Sequence, residues 1–289
     1  MTKRREGGII NNGEMPERTL TDLQFRYETH VHTCQASRCG VSTGAEQAEF
    51  YHSLGYQGII LTDHFFGGNT AVPRDLSWED RVKRFCSGYE DALQAGKRLG
   101  LDVFFGWEQN YQGDEFLVYG LSPEYLASHP QVETWTRAEQ LRYVHEAGGC
   151  VVQAHPFRDR DYIPKITLCD LFADGIEAAN FFNHPDWDAR AYHFGLKNHL
   201  PMTVGTDNHR AAGFVEKGET PFATAFSQPL KGIEDFVQAI LTNAPMELCV
   251  TEDRLNPVIP PAREVYRLRQ DETRERIFAP GEPWVTPSR

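Results

Sequence analysis

The sequence predicts an α/β protein in which parallel strands alternate with helices and close into a barrel. Short β-rich runs alternate with amphipathic stretches along most of the chain, a pattern typical of parallel βαβ units. Two of the runs, 58–61 and 150–152, are continuously apolar, as expected for strands that are buried on both faces. Because the pattern repeats about seven times, a closed barrel is favoured over an open sheet.

Length and composition limit the class of protein. The chain has 289 residues, of which 40% are hydrophobic, enough for one large barrel or two smaller domains. Its net charge of −12 argues against broad binding to long nucleic acid or to a membrane surface. A phosphorylated substrate stays compatible with this charge, because bound cations invert the local field.

The location is expected to be cytoplasmic. The basic start of the chain is not followed by the apolar segment of a signal peptide, and no run of 18 apolar residues predicts a membrane span. The six cysteines form no C-x-x-C pair, which favours a reducing compartment.

The elements are predicted in order along three regions. Residues 1–22, polar and Gly-rich, are expected to form an N-terminal arm, 23–250 the barrel domain and 251–289 a C-terminal extension. Strands are predicted at about 25–31, 58–62, 103–106, 116–119, 150–154, 175–179, 202–205, 222–226 and 246–250. Helices are predicted at about 43–54, 78–99, 136–147, 186–198 and 231–243.

Capping residues support the helix boundaries. Ser42 is expected to cap the first helix with Glu46 nearby, Gly55 to end it, and Gly100 to end the second. After about residue 256 the chain is rich in Pro, Arg and Glu, and a short mixed-charge helix followed by an irregular, solvated tail is expected there.

Metal-ligand side chains fall where the predicted strands end. His30 and His32, two residues apart on one strand, point to the same face. The carboxyl ends of the strands of a parallel barrel lie on one face, where active sites are built. The candidate ligands that converge there are His30, His32, Asp63, His64, Glu108, His155, Asp207 and His209. Taken singly, each also suits a turn or cap, but their shared position predicts a metal site.

The ligand types indicate the chemistry. Imidazoles and carboxylates without a run of thiolates suit Zn, Mn or Fe. Seven or eight ligands are too many for one ion, so two or three divalent ions bridged by a carboxylate such as Glu108 are expected. Ions about 3.5–4 Å apart stabilise the attacking and leaving oxygens of an in-line displacement at phosphorus. The prediction is therefore phosphate-ester hydrolysis.

The order of these motifs resembles the PHP family, named for polymerase and histidinol phosphatase. The motifs, which span about residues 25–245, are His30-Val31-His32, Thr62-Asp63-His64, Gly106-Trp107-Glu108, His155-Pro156 and Asp207-Asn208-His209. The resemblance implies a distorted (β/α)7 TIM-like barrel with two or three Zn, Mn or Fe ions at the C-terminal face of the strands. It also implies hydrolysis of phosphomonoesters or phosphodiesters.

The resemblance also implies a division of the ligands. His30, His32, Glu108 and Asp207 would hold one ion, and Glu108 and His155 would share in a second. His64 and His209 would serve the remaining position. Asp63 is expected to orient its neighbours rather than to bind metal.

The chain departs from the family pattern at two places. Where members often carry an Asp or His after the first motif, this chain has Arg38 and Cys39. Cys39 is either a thiolate ligand or an ordinary loop residue, and Arg38 can bind a phosphate oxygen bidentately. A histidine that some members carry after the fourth strand is replaced here by Leu121-Ser122, which favours a complete dinuclear site with a weaker third position.

Further side chains are candidates around the metal ligands. Arg158 is either a phosphate clamp or a surface arginine, and it joins Asp207 and His209 as a candidate catalytic residue. Glu177 and Asn180, which end the sixth strand in a Gly-Ile-Glu pattern that also resembles the family, are expected to hydrogen-bond the ligating histidines.

The resulting prediction is a hydrolase in which a metal-bound hydroxide attacks a small phosphorylated metabolite, such as a nucleotide or a histidinol-phosphate-like monoester. Two alternatives remain open. One is an exonuclease on short oligonucleotides, which need little basic surface. The other is a non-catalytic PHP module that retains metal for stability or partner binding. No membrane or long nucleic acid is expected as a partner, and the sequence does not define the oligomeric state.

Overall fold

The computed structural model describes residues 9–11, 25–211 and 222–287. The strands are β1 Ile9–Asn11, β2 Phe25–Val31, β3 Gly58–Leu61, β4 Asp102–Tyr111, β5 Asp114–Tyr119, β6 Cys150–Gln153, β7 Ile166–Leu168, β8 Gly175–Asn180, β9 Met202–Gly205, β10 Ala223–Phe226, β11 Glu247–Cys249, β12 Val265–Leu268 and β13 Arg274–Phe278. The helices are α1 Gly44–Ser53, α2 Trp78–Leu99, α3 Pro123–Ser128, α4 Arg137–Glu146, α5 Pro185–Asn198 and α6 Ile233–Leu241. Short 3-10 turns occupy Pro130–Thr134 and Glu252–Arg254.

One large sheet organises the fold. Its described strands follow the order β1-β11-β10-β2-β3-β4-β5-β6-β8-β9, and the part from β2 to β9 curves into a nearly closed barrel. The barrel closes where the chain beyond β9 meets β2: the Asp207 amide donates to the His30 carbonyl at 2.8 Å, and the His32 amide donates to the Asn208 carbonyl at 2.9 Å. The predicted distorted TIM-like barrel is confirmed, and its closure places the last predicted motif against the first.

The strand β5 is the main departure from the predicted topology. It pairs antiparallel with both β4 and β6, so the expectation of parallel strands was wrong at this point. Gln112 and Gly113 both have positive φ values, 57° and 102°, and form a two-residue hairpin turn between β4 and β5. Because β5 is antiparallel to its neighbours, its first residues lie at the barrel face where the parallel strands end.

The helix boundaries follow the predicted caps with one correction. Thr43, not Ser42, caps α1: its hydroxyl accepts the Glu46 amide, and the Glu46 carboxylate accepts the Thr43 amide. The Ser42 hydroxyl instead accepts the Ala211 amide at 3.0 Å. Gly100 ends α2 in the left-handed conformation, as predicted, with φ at 76°.

The C-terminal extension contradicts the predicted helix and solvated tail. β12 and β13 form an antiparallel hairpin, and β12 also pairs parallel with β7. Val265, Leu268 and Phe278 are buried, and Arg267 is buried beside Asp170 at 3.1 Å. Arg267 is therefore a partner of the barrel, whereas Arg269 and Arg276 are exposed, as predicted for this segment.

Parts of the predicted organisation lie at or beyond the limits of the described chain. Within the predicted arm, β1 pairs antiparallel with β11, and the rest of residues 1–22 lies outside the described residues. The domain boundaries and the cytoplasmic location stay predictions. Among the described helices, none has both the length and the apolar character needed to cross a membrane.

Candidate metal centre

The predicted ligands converge at the C-terminal end of the barrel. Ligand atoms from four groups of side chains approach within 4.8 Å of one another inside each group. The groups are His32, His64 and His209; His30, His32 and Asp207; His30, Glu108 and His155; and His64, Glu108 and Glu115. Every histidine, glutamate and aspartate predicted to bind metal therefore belongs to at least one group.

The first position is formed by His30, His32 and Asp207. The two Nε2 atoms lie 3.1 Å apart, and the Oδ1 atom of Asp207 lies 3.0 Å from the Nε2 of His32 and 3.5 Å from that of His30. Ligand atoms on a tetrahedral zinc ion with bonds of about 2.0–2.1 Å lie roughly 3.3 Å apart. The spacing of these three atoms therefore fits a metal ion.

Buried carboxylate contacts fix the ring of His30. Its Nδ1 atom lies 3.0 Å from Oε1 of Glu177, and the Nδ1–H donor leaves the Nε2 lone pair facing the other ligands. The second oxygen of Glu177 accepts the His155 amide and the Asn180 side-chain amide, each at 3.0 Å. Glu177 thus hydrogen-bonds a candidate ligand as expected, whereas the side-chain amide of Asn180 donates to Glu177 rather than to a histidine.

A second network fixes His32. Its Nδ1 atom lies 3.1 Å from the Ser37 hydroxyl, which itself donates to Asp63 at 2.6 Å, so the imidazole is the donor in the first contact. Asp63 also accepts the Thr33 amide and hydroxyl at 2.6 Å and 2.7 Å. The carboxylate of Asp63 therefore holds the loop after β2. The Nδ1 atom of His209 is also engaged, because it contacts the Asp207 backbone carbonyl at 2.7 Å.

Glu108 lies between the groups. Its Oε1 atom is 3.2 Å from Nε2 of His155 and 3.4 Å from Nε2 of His30, while its Oε2 atom is 2.6 Å from Nδ1 of His64. Both atoms of this last contact are buried, and neither makes a hydrogen bond of acceptable geometry. Such unpaired buried atoms are expected where a metal ion satisfies them. Burial raises the pKa of Glu108, but His64 and His30 outweigh burial and hold it well below the ordinary value.

Arg158 reaches the centre from the loop after β6. Its Nη2 atom lies 2.7 Å from Oδ2 of Asp207, and its Nε–H donates to Asn183 at 2.9 Å. Burial raises the pKa of Asp207, but Arg158 and His30 outweigh burial and keep this carboxyl ionised. Arg158 is buried, so its reading as a surface arginine was wrong.

The sequence analysis missed Glu115. Its Oε2 atom lies 3.5 Å from Nε2 of His155, and its Oε1 atom accepts from the Asn110 side chain at 2.9 Å. Glu115 directly precedes the predicted strand 116–119 rather than ending a strand, and a parallel arrangement would place it on the far face of the barrel. The Gln112-Gly113 turn was the signal that could have revealed it.

Cys39 and Arg38 follow in the loop after β2, and both are exposed. The Cys39 thiol interacts with His209 and His64. Partial burial of the thiol raises its pKa, but hydrogen bonds from these histidines outweigh this effect and lower the pKa to about 6. The Arg38 amide donates to the Asn69 carbonyl. Metal binding by Cys39 and phosphate binding by Arg38 stay predictions.

Comparison with solved structures supports the fold. The chain matches a two-domain protein from Bacteroides vulgatus that contains a predicted PHP-like metal-dependent phosphoesterase, with a TM-score of 0.59 and 17% identity over 85% of this chain and 68% of that one. PsfC from Pseudomonas syringae matches with a TM-score of 0.48 and 16% identity over 80% of this chain and 93% of its own. No family model and no curated protein matches. The first likeness shows that this chain has a PHP-like fold, as the motif order predicted.

Proposed function

We propose that this protein is a metal-dependent phosphoesterase that hydrolyses a small phosphorylated metabolite, such as a nucleotide or a histidinol-phosphate-like monoester. The observation that carries the proposal is the convergence of the Nε2 atoms of His30, His32 and His155 on Glu108 and Asp207. Each nitrogen lies 3.0–3.4 Å from its nearest carboxylate oxygen. Each Nδ1 atom of His30 and His32 is already engaged, so the Nε2 lone pairs are available to a metal.

The charges of the centre favour at least two divalent ions. The carboxylates of Glu108, Glu115, Glu177 and Asp207 lie in the donor groups or in contact with them, and all are buried or nearly so. Against their four negative charges Arg158 provides one permanent positive charge, and the neighbouring carboxylates outweigh burial and raise the pKa values of His30 and His64, so these imidazoles carry protons where no metal is bound. Two divalent ions bring the centre close to neutrality, and the three imidazoles of His32, His64 and His209 offer a third position. Zinc, manganese and iron all suit such donors.

The protein side chains would act around these ions, which supply Lewis-acid activation of water and charge neutralisation at phosphorus. Arg158 keeps Asp207 ionised and presents its guanidinium to an incoming phosphate oxygen. His209, whose side chain is 25% exposed, would pass a proton to the leaving oxygen when no ion fills the third position. Glu177 keeps the His30 ring in one orientation during the reaction.

A cleft beside the centre suits a phosphate group. It is lined on the metal side by Glu115, His155 and Arg158, and on the other side by Lys165 and Thr167, so two cationic side chains border it. A small phosphorylated molecule is therefore the proposed partner, and the net charge of −12 disfavours long nucleic acid.

Phosphate release tests the proposal. Protein loaded with Mn or Zn is assayed against nucleotides, histidinol phosphate, sugar phosphates and short oligonucleotides, with Asp207→Asn and the exposed-site control Asp271→Asn. Turnover of a monoester that is lost in Asp207→Asn and kept in the control supports the proposal. Turnover of oligonucleotides alone favours the exonuclease. No release by fully metal-loaded protein favours the non-catalytic module.

A further inference from the structure

We propose that Glu115 is a metal ligand and that, with Glu108 and His64, it forms a carboxylate-rich position next to the one formed by His30, His32 and Asp207. This inference rests on the proposed metal-dependent function and specifies one of its metal positions. The reversal of β5 carries it, because that reversal delivers a glutamate to the face of the barrel where the parallel strands end.

The orientation of the Glu115 carboxylate suits this role. Its Oε1 atom accepts from Asn110 at 2.9 Å, and its Oε2 atom faces Nε2 of His155 at 3.5 Å. The same Nε2 atom lies 3.2 Å from Oε1 of Glu108. The ligand atoms that Glu115, Glu108 and His64 offer all lie within 4.8 Å of one another, so one metal ion can bind these three side chains at once.

The charges point to a cation at this place. The side chain of Glu115 is 12% exposed and that of Glu108 is 1% exposed, so two carboxylates are held together largely away from water. Such a pair repels unless a positive charge lies between its members. The nearby guanidinium of Arg158 is directed to Asp207. Oε2 of Glu108 and Nδ1 of His64, which lie 2.6 Å apart without a hydrogen bond of acceptable geometry, are further buried atoms at the same place.

The backbone at Glu115 is firmly held. The preceding residue, Asp114, accepts from Arg137 at 2.7 Å and from Arg274 at 2.9 Å. Because successive side chains of a strand point to opposite faces, these ion pairs fix the start of β5 from one side while Glu115 faces the centre on the other. The arginine from β13 therefore links the C-terminal hairpin to the metal position.

The donor set also predicts a difference between the positions. Two carboxylates and one imidazole suit harder ions such as manganese or iron, whereas the all-imidazole group of His32, His64 and His209 suits zinc. Replacing Glu115 should thus affect manganese binding more than zinc binding.

Metal stoichiometry tests the inference on the full chain. Wild type, Glu115→Gln, Glu115→His and the control Glu146→Gln, whose side chain is 63% exposed, are dialysed against increasing Mn and bound metal is measured. Paramagnetic resonance of the bound Mn reports whether two ions lie close enough to couple. Circular dichroism and thermal unfolding establish that each variant is folded.

We expect Glu115→Gln to weaken the binding of one Mn ion by about 10- to 100-fold and to lose the coupled signal, while the other ion stays bound. Glu115→His should keep two ions but shift the preference at that position from manganese towards zinc. If Glu115→Gln binds both ions with wild-type affinity, the inference is wrong although the proposed function stands. If wild type binds no metal, both are wrong.

Discussion

Gly205 and His30 lie so close that a side chain at position 205 has no room. A Cβ atom added to Gly205 would be 2.7 Å from Cβ of His30 and 2.8 Å from Oε1 of Glu177. The contact lies where β9 approaches β2 and closes the barrel. A glycine at the end of β9 therefore allows the first metal ligand and its supporting carboxylate to meet.

Gly205→Ala should displace His30 and Glu177. The added methyl group must move buried neighbours, which costs about 1–3 kcal/mol in the free energy of unfolding. Metal binding should weaken by about tenfold or more because the supporting contact is disturbed. Urea unfolding and calorimetric metal titration measure the two effects. Gly68→Ala, where the nearest atom is 3.4 Å away, is the control, and equal behaviour of the two variants would contradict this reading.

Glu177→Gln should weaken metal binding without unfolding the protein. The amide is isosteric with the carboxylate but cannot stabilise the Nδ1–H of His30 to the same extent, so its ligand nitrogen becomes less basic. Loss of such a supporting group typically costs about 10–100-fold in metal affinity. Competition with a fluorescent chelator measures this change. An unchanged dissociation constant would show that Glu177 has a packing role only.

Arg158→Ala should destabilise the metal-free protein. The substitution leaves the buried carboxylate of Asp207 without its guanidinium partner. Removal of one partner from a buried ion pair costs about 3–5 kcal/mol in the free energy of unfolding. Bound divalent ions should recover part of this loss, because they also neutralise Asp207. Chemical unfolding with chelator and with Mn measures both states. Arg142→Ala, an exposed helix position, should change stability by less than about 0.5 kcal/mol.

Asp114→Ala should weaken the packing of the hairpin β12–β13 against the barrel. Two guanidinium groups, those of Arg137 and Arg274, would lose their shared carboxylate. We expect a loss of about 3–5 kcal/mol in the free energy of unfolding. The matched control is Asp271→Ala at the exposed turn of the hairpin. A loss no larger than that of the control would show that the hairpin is held by its apolar contacts alone.

Cys39 should react with iodoacetamide faster than Cys34 in metal-free protein. The pKa of Cys39 is lowered to about 6, whereas burial raises the pKa of Cys34, and the thiolate is the reactive form. The rate at Cys39 should therefore rise between about pH 5 and pH 7 and then level off, while the rate at Cys34 keeps rising. Mass spectrometry after timed alkylation gives both rates. Parallel pH profiles for the two thiols would contradict the contact of Cys39 with the histidines.

Much of the fold could be predicted because its signals are local. The first motif lies at the end of an alternating run, and Gly100 ends the long helix as its position suggested. The C-terminal hairpin could not be predicted in this way. Its charged residues look solvated in isolation, and partners distant in the sequence, such as the acceptor Asp170 nearly a hundred residues earlier, make burial of Arg267 favourable.

The sequence by itself determined the kinds of ligand and their places at strand ends, because residue chemistry and strand periodicity are local properties. The tertiary structure decided which of them meet. The turn at Gln112 and Gly113 reverses β5 and brings Glu115 to the centre, and the approach of β9 to β2 sets Asp207 beside His30. Both depend on how distant strands pair, which is governed by packing across the whole barrel and by backbone hydrogen bonds between distant segments.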